Sequence, residues 1–371
     1  MPLFMDRHEN QVGLTPKDVA EGHLQDIKIQ DKYNCKFLTY WFDEYKCSGF
    51  CLVEAPNKEA VEEVHRNSHG MVPNRVIEVN KNLVELFLGR ISDPESPNPD
   101  NFENYIDETA FRTIMNVELI YPSFIYLKPT EDETNELLSY CNEVFYQALE
   151  RYEGREIHKI SEGFLASFSS VTNSIRCAAE IQNCFKEFND KSNRTKINIA
   201  VGLHTGLPVT DKGGFFEETI QFVKRICSIA DKDKIVVSST IRDLINAGKV
   251  NATYIESIKV LNPSEEKFLN QLMDLTEQIW NDERFNLDNF SKQIGLSKAQ
   301  LYRKVTSLTG YSPNVFIREY RLKKALKAIE KMKGNISEIA LESGFNNPSY
   351  FSKCFQKRFG ILPSEYANTI A

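Results

Sequence analysis

The feature that most limits what this 371-residue chain can fold into is a repeat near its carboxy-terminal end. Gly295 and Gly344 lie 49 positions apart, whereas Leu301 and Phe351, Arg303 and Lys353, Val305 and Phe355, Gly310 and Gly360, and Pro313 and Pro363 all lie 50 apart. The difference falls in a turn, so each copy is one supersecondary unit. The first reads as helix Leu287 to Ile294, turn Gly295-Leu296 and helix Ser297 to Leu308. The second reads as helix Ile336 to Ser343, turn Gly344-Phe345-Asn346 and helix Pro348 to Phe359. Two helices joined by a short turn containing glycine make a helix-turn-helix. Between the copies Ser312-Pro313 opens a connecting helix, because proline suits the first helical position. Upstream, Phe268, Leu272, Leu275 and Ile279 step by 4, 3 and 4, the spacing of one buried helical face.

The second helix of such a unit lies in the major groove of double-stranded DNA with its early residues at base edges. The segments able to read sequence are then Ser297 to Arg303, with Ser297, Lys298, Ala299, Tyr302 and Arg303, and Pro348 to Lys353, with Ser349 and Lys353. Arg303 and Lys353 hold equivalent places and can address guanine edges or phosphate. The connecting helix carries Arg318, Arg321, Lys323, Lys324 and Lys327 on its expected exposed side, and Arg321 and Lys324 join the DNA-binding candidates. The alternative is a helical bundle with a solvated basic face, which the duplication of equivalent basic residues argues against. Charge is distributed accordingly: the chain carries -7 overall, yet Glu265 to Ala371 carries +4 and the preceding residues -11.

The same residues carry a resemblance. Phe285-Asn286-Leu287-Asp288-Asn289-Phe290-Ser291, Gly295-Leu296-Ser297, Leu301-Tyr302-Arg303-Lys304 and, above all, the run from Ile336-Ser337-Glu338-Ile339-Ala340 through Gly344-Phe345-Asn346-Asn347-Pro348-Ser349-Tyr350-Phe351-Ser352-Lys353 to Pro363-Ser364-Glu365-Tyr366 are similar to the DNA-binding domain of AraC/XylS-type transcription regulators. The family's base-facing places fall on Ala299, Tyr302 and Arg303 in the first unit and on Pro348, Ser349 and Lys353 in the second. Ala299 and Pro348 offer only apolar contact, so the code implied is thin.

Composition divides the rest. From Ser92 to Glu108, Pro94, Pro97 and Pro99 alternate with acidic residues, which reads as a linker over 91–110. A second boundary falls at Asn262-Pro263-Ser264. The expected architecture is multidomain α+β: residues 1–90 a ferredoxin-like domain, 111–260 a second α+β domain, and 265–371 an all-α tandem helix-turn-helix. In the first, a short strand, a helix opened by Thr15-Pro16, strands Lys36 to Phe42 and Gly49 to Glu54, a helix from Lys58 and strand Arg75 to Val79 give the order β-α-β-β-α-β of that fold. In the second, strands are expected at Thr113 to Ile120, Ile157 to Phe168, Lys196 to His204 and Lys234 to Ser238, with helices Thr134 to Tyr152 and Ser174 to Phe188.

The middle segment from Glu153 to Phe168, with Ala178-Ala179-Glu180-Ile181-Gln182 and Val201-Gly202-Leu203-His204-Thr205-Gly206, is similar to class III nucleotide cyclases. That likeness implies a ferredoxin-like cyclase fold that pairs with a second copy. The family's two metal-holding aspartates fall on Glu118 and Glu162, its transition-state Asn and Arg on Gln221 and Arg225, and its purine-reading Lys near His158. Four of these five positions are changed. Magnesium demands near-ideal octahedral geometry, and each Asp-to-Glu change carries a carboxylate a methylene further out. A scaffold that has lost cyclisation is therefore expected, not an enzyme, with an active nucleotide cyclase or nucleotide-binding sensor coupled to DNA binding as the alternative.

Three of the six histidines, His23, His65 and His69, lie in the first unit. His65 and His69, four apart, can project from one helical face, and Asp26, Asp43, Cys51 or Glu54 can complete a divalent transition-metal site, imidazole suiting Ni, Zn and Cu. Alternatively His69-Gly70 simply ends the helix, where a positive charge is favourable. The segments Gly22-His23-Leu24-Gln25-Asp26, Tyr40-Trp41-Phe42-Asp43-Glu44, Phe50 to Pro56 and Val64-His65 to His69-Gly70 resemble a small ferredoxin-like family that includes nickel-binding proteins. The candidate ligands are His23, His65 and His69, for Ni or Zn. The eight cysteines show no C-x-x-C pair, so neither a disulfide framework nor a zinc ribbon is expected. No apolar run reaches the ~18 residues of a membrane span, and residues 1–10 lack a signal peptide's pattern. The sequence thus reads as a cytoplasmic transcription regulator, a homodimer through its cyclase-like or first domain, answering to a small-molecule or metal effector.

Overall fold

A computed structural model describes residues 1–9, 11–43, 46–93, 108–120, 131–160, 163–191, 197–230, 234–245, 258–331 and 333–370. The protein consists of two α+β regions followed by a helical region. In the first region β1 (Leu3–Arg7), α1 (Pro16–Ile29), β2 (Lys36–Asp43), β3 (Ser48–Glu54), α2 (Lys58–Ser68) and β4 (Arg75–Glu78) follow the expected order, and α3 (Lys81–Leu88) is added. The strands form an antiparallel sheet in the order β2-β3-β1-β4. Thr15 caps α1 through a reciprocal capping box with Asp18, as the Thr15-Pro16 pair suggests.

The second region contains β5 (Arg112–Ile120), α4 (Glu131–Arg151), β6 (Arg155–Ile160), β7 (Gly163–Phe168), α5 (Val171–Lys191), β8 (Asn198–Gly206), α6 (Glu217–Ser228), β9 (Lys234–Val237), α7 (Ser239–Leu244) and β10 (Ile258–Val260). Its sheet runs β10-β9-β8-β5-β7-β6. The single strand expected over Ile157 to Phe168 is instead two antiparallel strands, β6 and β7, with Ile160 opposite Gly163. One face of the sheet packs Met115, Val117, Leu119, Phe164 and Val201 against α4 and α5.

The opposite face is covered by the first region. Leu3, Met5, Phe50 and Leu52 of the first sheet, with Val84 and Phe87 of α3, share one core with Ile114, Leu165, Phe216 and Val223 of the second region. Hydrogen bonds cross the same seam: Arg7 Nη1 donates to Val209 O at 3.0 Å, and Arg112 Nε and Ser167 Oγ both donate to Phe87 O. Of the expected linker, residues 94–107 lie outside the described residues. Its described ends are both fastened to β2, Asp93 N donating to Leu38 O at 3.0 Å and Phe42 N to Glu108 O at 3.2 Å. The Glu108 carboxylate also accepts from Arg90 and Arg112.

The helical region holds α8 (Pro263–Ile279), α9 (Leu287–Ile294), α10 (Lys298–Thr309), α11 (Pro313–Glu330), α12 (Ile336–Glu342), α13 (Pro348–Phe359) and α14 (Pro363–Ile370). Polar side chains cap most of these starts: Asn262, Asn286, Ser297, Asn335 and Asn347 each accept a backbone N–H of the first turn. Phe268, Leu272, Phe290, Leu301 and Val305 centre the first unit, and Ile339, Phe351, Phe355 and Phe359 the second. The core of the first unit continues into the middle region through Phe222 and Ile226 of α6. Helix α6 can lie close on the sheet because Gly202 has no side chain: a Cβ there would sit 2.8 Å from both Cys227 N and Val223 O.

Candidate nucleic-acid interface and metal centre

The second helix of each unit, α10 and α13, exposes polar side chains at its start. Ser297 caps α10, its Oγ accepting from Gln300 N at 3.2 Å, and Lys298, Ala299, Tyr302 and Arg303 stand exposed on the following turn. Lys298 is ion-paired with Asp288 of α9, which leaves Arg303 and Lys304 as the cations of this helix clear of any ion pair among the described residues, Lys304 with its ammonium 5.2 Å from the Phe268 ring centre. On α13, Ser349 and Lys353 are exposed, and Pro348 is the first residue after the Asn347 cap. Tyr350, not singled out from the sequence as a contact, is 50% exposed at the third position of that helix, two places earlier than the 52% exposed Tyr302 stands on α10. Its exposure follows from the buried Phe351 and Phe355, whose spacing turns position 350 outward.

The connecting helix departs from expectation at Arg321. Its Nε donates to Trp280 O at 2.5 Å and its Nη2 to Asp282 O at 2.6 Å, so the guanidinium is spent on carbonyls at the end of α8. Lys324 stays exposed, its ammonium 5.2 Å from the Tyr320 ring centre and 5.7 Å from that of Trp280.

Of the cyclase-equivalent positions, four lie among the described residues. Glu162 lies outside the described residues. His158 and Gln221 are exposed, on β6 and α6. Arg225 is buried and faces α8, Nη1 donating to Asn270 Oδ1 at 2.8 Å and Nη2 to Asp274 Oδ1 at 2.5 Å, with Glu277 Oε2 at 3.8 Å. Glu118 Oε2 lies 4.0 Å from Lys323 Nζ on α11. Both residues thus hold the helical region against the middle one.

In the first region the sequence located the cluster but not all its members. His65 and His69 meet Asp26, and His65 also belongs to a second group with Asp6, His8 and Cys51; in each group the ligand atoms lie within 4.8 Å of one another. His23 is not among them. It sits one turn before Asp26 on α1, with its Nε2 3.3 Å from Asp93 Oδ2 and its ring against Tyr40. Asp43 and Glu54 are absent from both groups, whereas Asp26 and Cys51 take part. Asp6 comes from β1 and His8 from the position just after it, bridged to Gly49, and their place beside α2 is set by sheet pairing, which local spacing does not encode.

The electrostatics of this cluster are those of a buried network. His65 is held between two carboxylates, Nε2 2.8 Å from Asp6 Oδ2 and Nδ1 3.1 Å from Asp26 Oδ2. Burial opposes its charge, but Asp26 and Asp6 outweigh it and lift the imidazole to about 9. Burial likewise opposes ionisation of Asp26, and hydrogen bonds from His65 and His69 prevail, bringing it down to about 2. Asp6 is held below the ordinary carboxylate range by His8 and His65 against the cost of burial. Burial first, then Asp6, pushes the Cys51 thiol well up.

A raised imidazole adds stability below its unfolded value of about 6.5, and that stability is lost as pH rises through its folded value. In metal-free protein the stability excess of the native chain over His65→Gln is therefore expected to shrink between about pH 6.5 and 9. The depressed Asp26 gives the opposite limb, lost as pH falls from about 4 towards 2. Urea unfolding of both proteins across this range measures it, and an excess that stays constant to pH 9.5 would contradict it. The donor set of imidazole, thiol and carboxylate fits Ni or Zn.

Comparison with known proteins finds likenesses near both ends of the chain. Residues 290–369 match the family model described as a helix-turn-helix domain, and residues 4–79 match that of the nickel responsive protein SCO4226-like. A histidine kinase P4 of Formosa agariphila is 39% identical over 119 residues, 32% of this chain and 9% of its own length. The HTH-type transcriptional regulator MtrA of Neisseria gonorrhoeae is 30% identical over 112 residues, 30% of this chain and 37% of its own. The chain therefore spans well under half of either relative. A solved adenylate/guanylate cyclase/hydrolase from Silicibacter pomeroyi aligns at 22% identity over 37% of this chain and 80% of its own, with a TM-score of 0.32. The carboxy-terminal segment is a helix-turn-helix domain of the AraC type, and the amino-terminal one is SCO4226-like. Among the described residues no helix is long and apolar enough to cross a membrane.

Proposed function

We propose that this protein is a sequence-specific transcription regulator of the cytoplasm that reads DNA through α10 and α13 and answers to a divalent transition metal in its first region. The observation that carries the DNA reading is the pair of equivalent helix starts, each with a cation clear of any ion pair among the described residues, Arg303 and Lys353, and an exposed tyrosine. Replacing Arg303 by Ala should weaken a selected site by about 1 to 3 kcal/mol and relax preference in one half only, if it grips a guanine edge. Lys324→Ala should weaken all sequences alike and flatten the salt slope, because phosphate contact carries no sequence information. Binding-site selection followed by titration at several salt concentrations separates them. Equal loss on specific and random DNA for Arg303→Ala would move that residue to the backbone and remove it from base reading.

For the metal, His65, His69, Asp26, Asp6, His8 and Cys51 are the ligand candidates, and when bound the ion supplies a charge that replaces protons in the network. A nucleotide cyclase is the competing reading, and the engagement of Arg225 by α8 argues against it. Incubation with Mg or Mn and either ATP or GTP is expected to give no cyclic product above background. Clear product that Glu162→Ala abolishes would restore the enzyme. If two copies pair, they use surfaces other than the sheet face that the first region and α8 already cover.

A further inference from the structure

Resting on the reading of the repeat as a DNA-binding pair, we infer that Arg321 is a positioning residue that locks the two helix-turn-helix units at one separation and angle, and so sets the half-site spacing the protein accepts. Three segments converge on this guanidinium. The end of α8 supplies Trp280 O, at the helix end, and Asp282 O, which also accepts from Phe285 N at 3.1 Å; Arg321 donates to them at 2.5 and 2.6 Å. The connecting helix supplies the arginine itself, which lies over the Phe285 ring at 5.9 Å from its centre. The second unit supplies Gly344, at the turn between its helices. A Cβ there would lie 2.8 Å from Trp280 O and 2.9 Å from Arg321 Nε, and φ is +79°. Glycine is thus required twice over, by conformation and by proximity.

The two units are therefore braced through side chains as well as joined by α11. A second strut, Arg358 Nε of α13 at 2.8 Å from Glu319 Oε2 of α11, ties the second recognition helix to the same connecting helix. The planar fork of arginine can bond two carbonyls at once, and a lysine cannot reproduce that. With the brace in place, an inserted base pair turns one half-site away from its helix, and the protein cannot follow.

The test uses the full chain, its selected DNA site, and versions of that site with one or two base pairs added or removed between the halves. The native protein is expected to lose about 30-fold for one inserted pair, the cost of spoiling one half-site. Arg321→Gln and Arg321→Lys should lose less than about 5-fold for the same insertion. A phosphate-contacting Arg321 would instead weaken every spacing equally, and an unchanged spacing penalty in both variants overturns the inference. A second measurement does not depend on sequence reading: spin labels introduced at the exposed Ser307 and Lys357 report the distance between α10 and α13. A narrow distribution in the native chain that broadens in Arg321→Gln supports the brace, and an unchanged width refutes it. Broadening without any sequence-selective binding would leave the brace standing and sink the DNA reading alone.

Discussion

Replacing His65 by alanine is expected to destabilise the first region by about 3 to 5 kcal/mol and to remove its stoichiometric metal binding. Asp6 and Asp26 are 0% and 1% exposed, and His65 bridges them. Removing one partner of a buried charged network leaves the others uncompensated, which costs far more than the pair contributes. His8 and His69 touch the same carboxylates and temper the loss without replacing the bridge. Urea unfolding followed by circular dichroism gives the stability, and calorimetric titration with Ni and Zn gives the binding. A loss below 1 kcal/mol would show that the carboxylates are satisfied without His65. Metal binding that survives His65→Ala with His69→Ala would assign the site to other residues.

Excising the chain at Glu265 is expected to yield a helical fragment that self-associates. Helix α8 is apolar on two sides. Phe268, Leu272 and Ile279 serve the first helix-turn-helix unit, whereas Glu266, Asn270 and Glu277, stepping by 4 and 7, face the middle region. Leu269 and Met273, 0% and 6% exposed, share that second side. Each large apolar side chain returned to water costs roughly 1.5 to 3 kcal/mol, and the cut also severs the Arg225 bonds. Size-exclusion chromatography and thermal melting of residues 265–371, beside the same fragment carrying Leu269→Gln and Met273→Lys, measure the effect. A monomeric fragment melting with the intact chain would mean that α8 needs no neighbour.

The helix-turn-helix units were legible almost to the residue because their signals are local: asparagine or serine caps at Asn286, Ser297, Asn335 and Asn347, and Gly295 in the left-handed conformation at a helix end. Helix α6 escaped because it starts without such a signal. Its N-cap is Phe216, at φ 53°, a conformation costly for a bulky residue and held here by burial and stacking on Phe87 at 4.8 Å. Arg321 was misread for a related reason. Helical spacing places it outward on α11, but only the fold brings Trp280 and Asp282 to meet it. In the buried histidine–carboxylate cluster the i, i+4 pair His65 and His69 was readable, whereas Asp6 of β1 and His8 just beyond it arrive through antiparallel pairing with β3 and β4 and the bridge to Gly49, a relation between segments that no single stretch records.

The fastening of residues 93 and 108 to β2, at Leu38 and Phe42, changes what the proline-rich stretch is for. Since the regions on either side already share a core, that stretch does not set the distance between them. It is a graft point. Closure entropy grows by only about 0.6 kcal/mol per doubling of the length between two pinned ends, so sequence added there is expected to leave both sheets intact. Because the flanking regions share a core, a docking motif or a reporter domain placed between Asp93 and Glu108 is expected to travel with the protein as cargo.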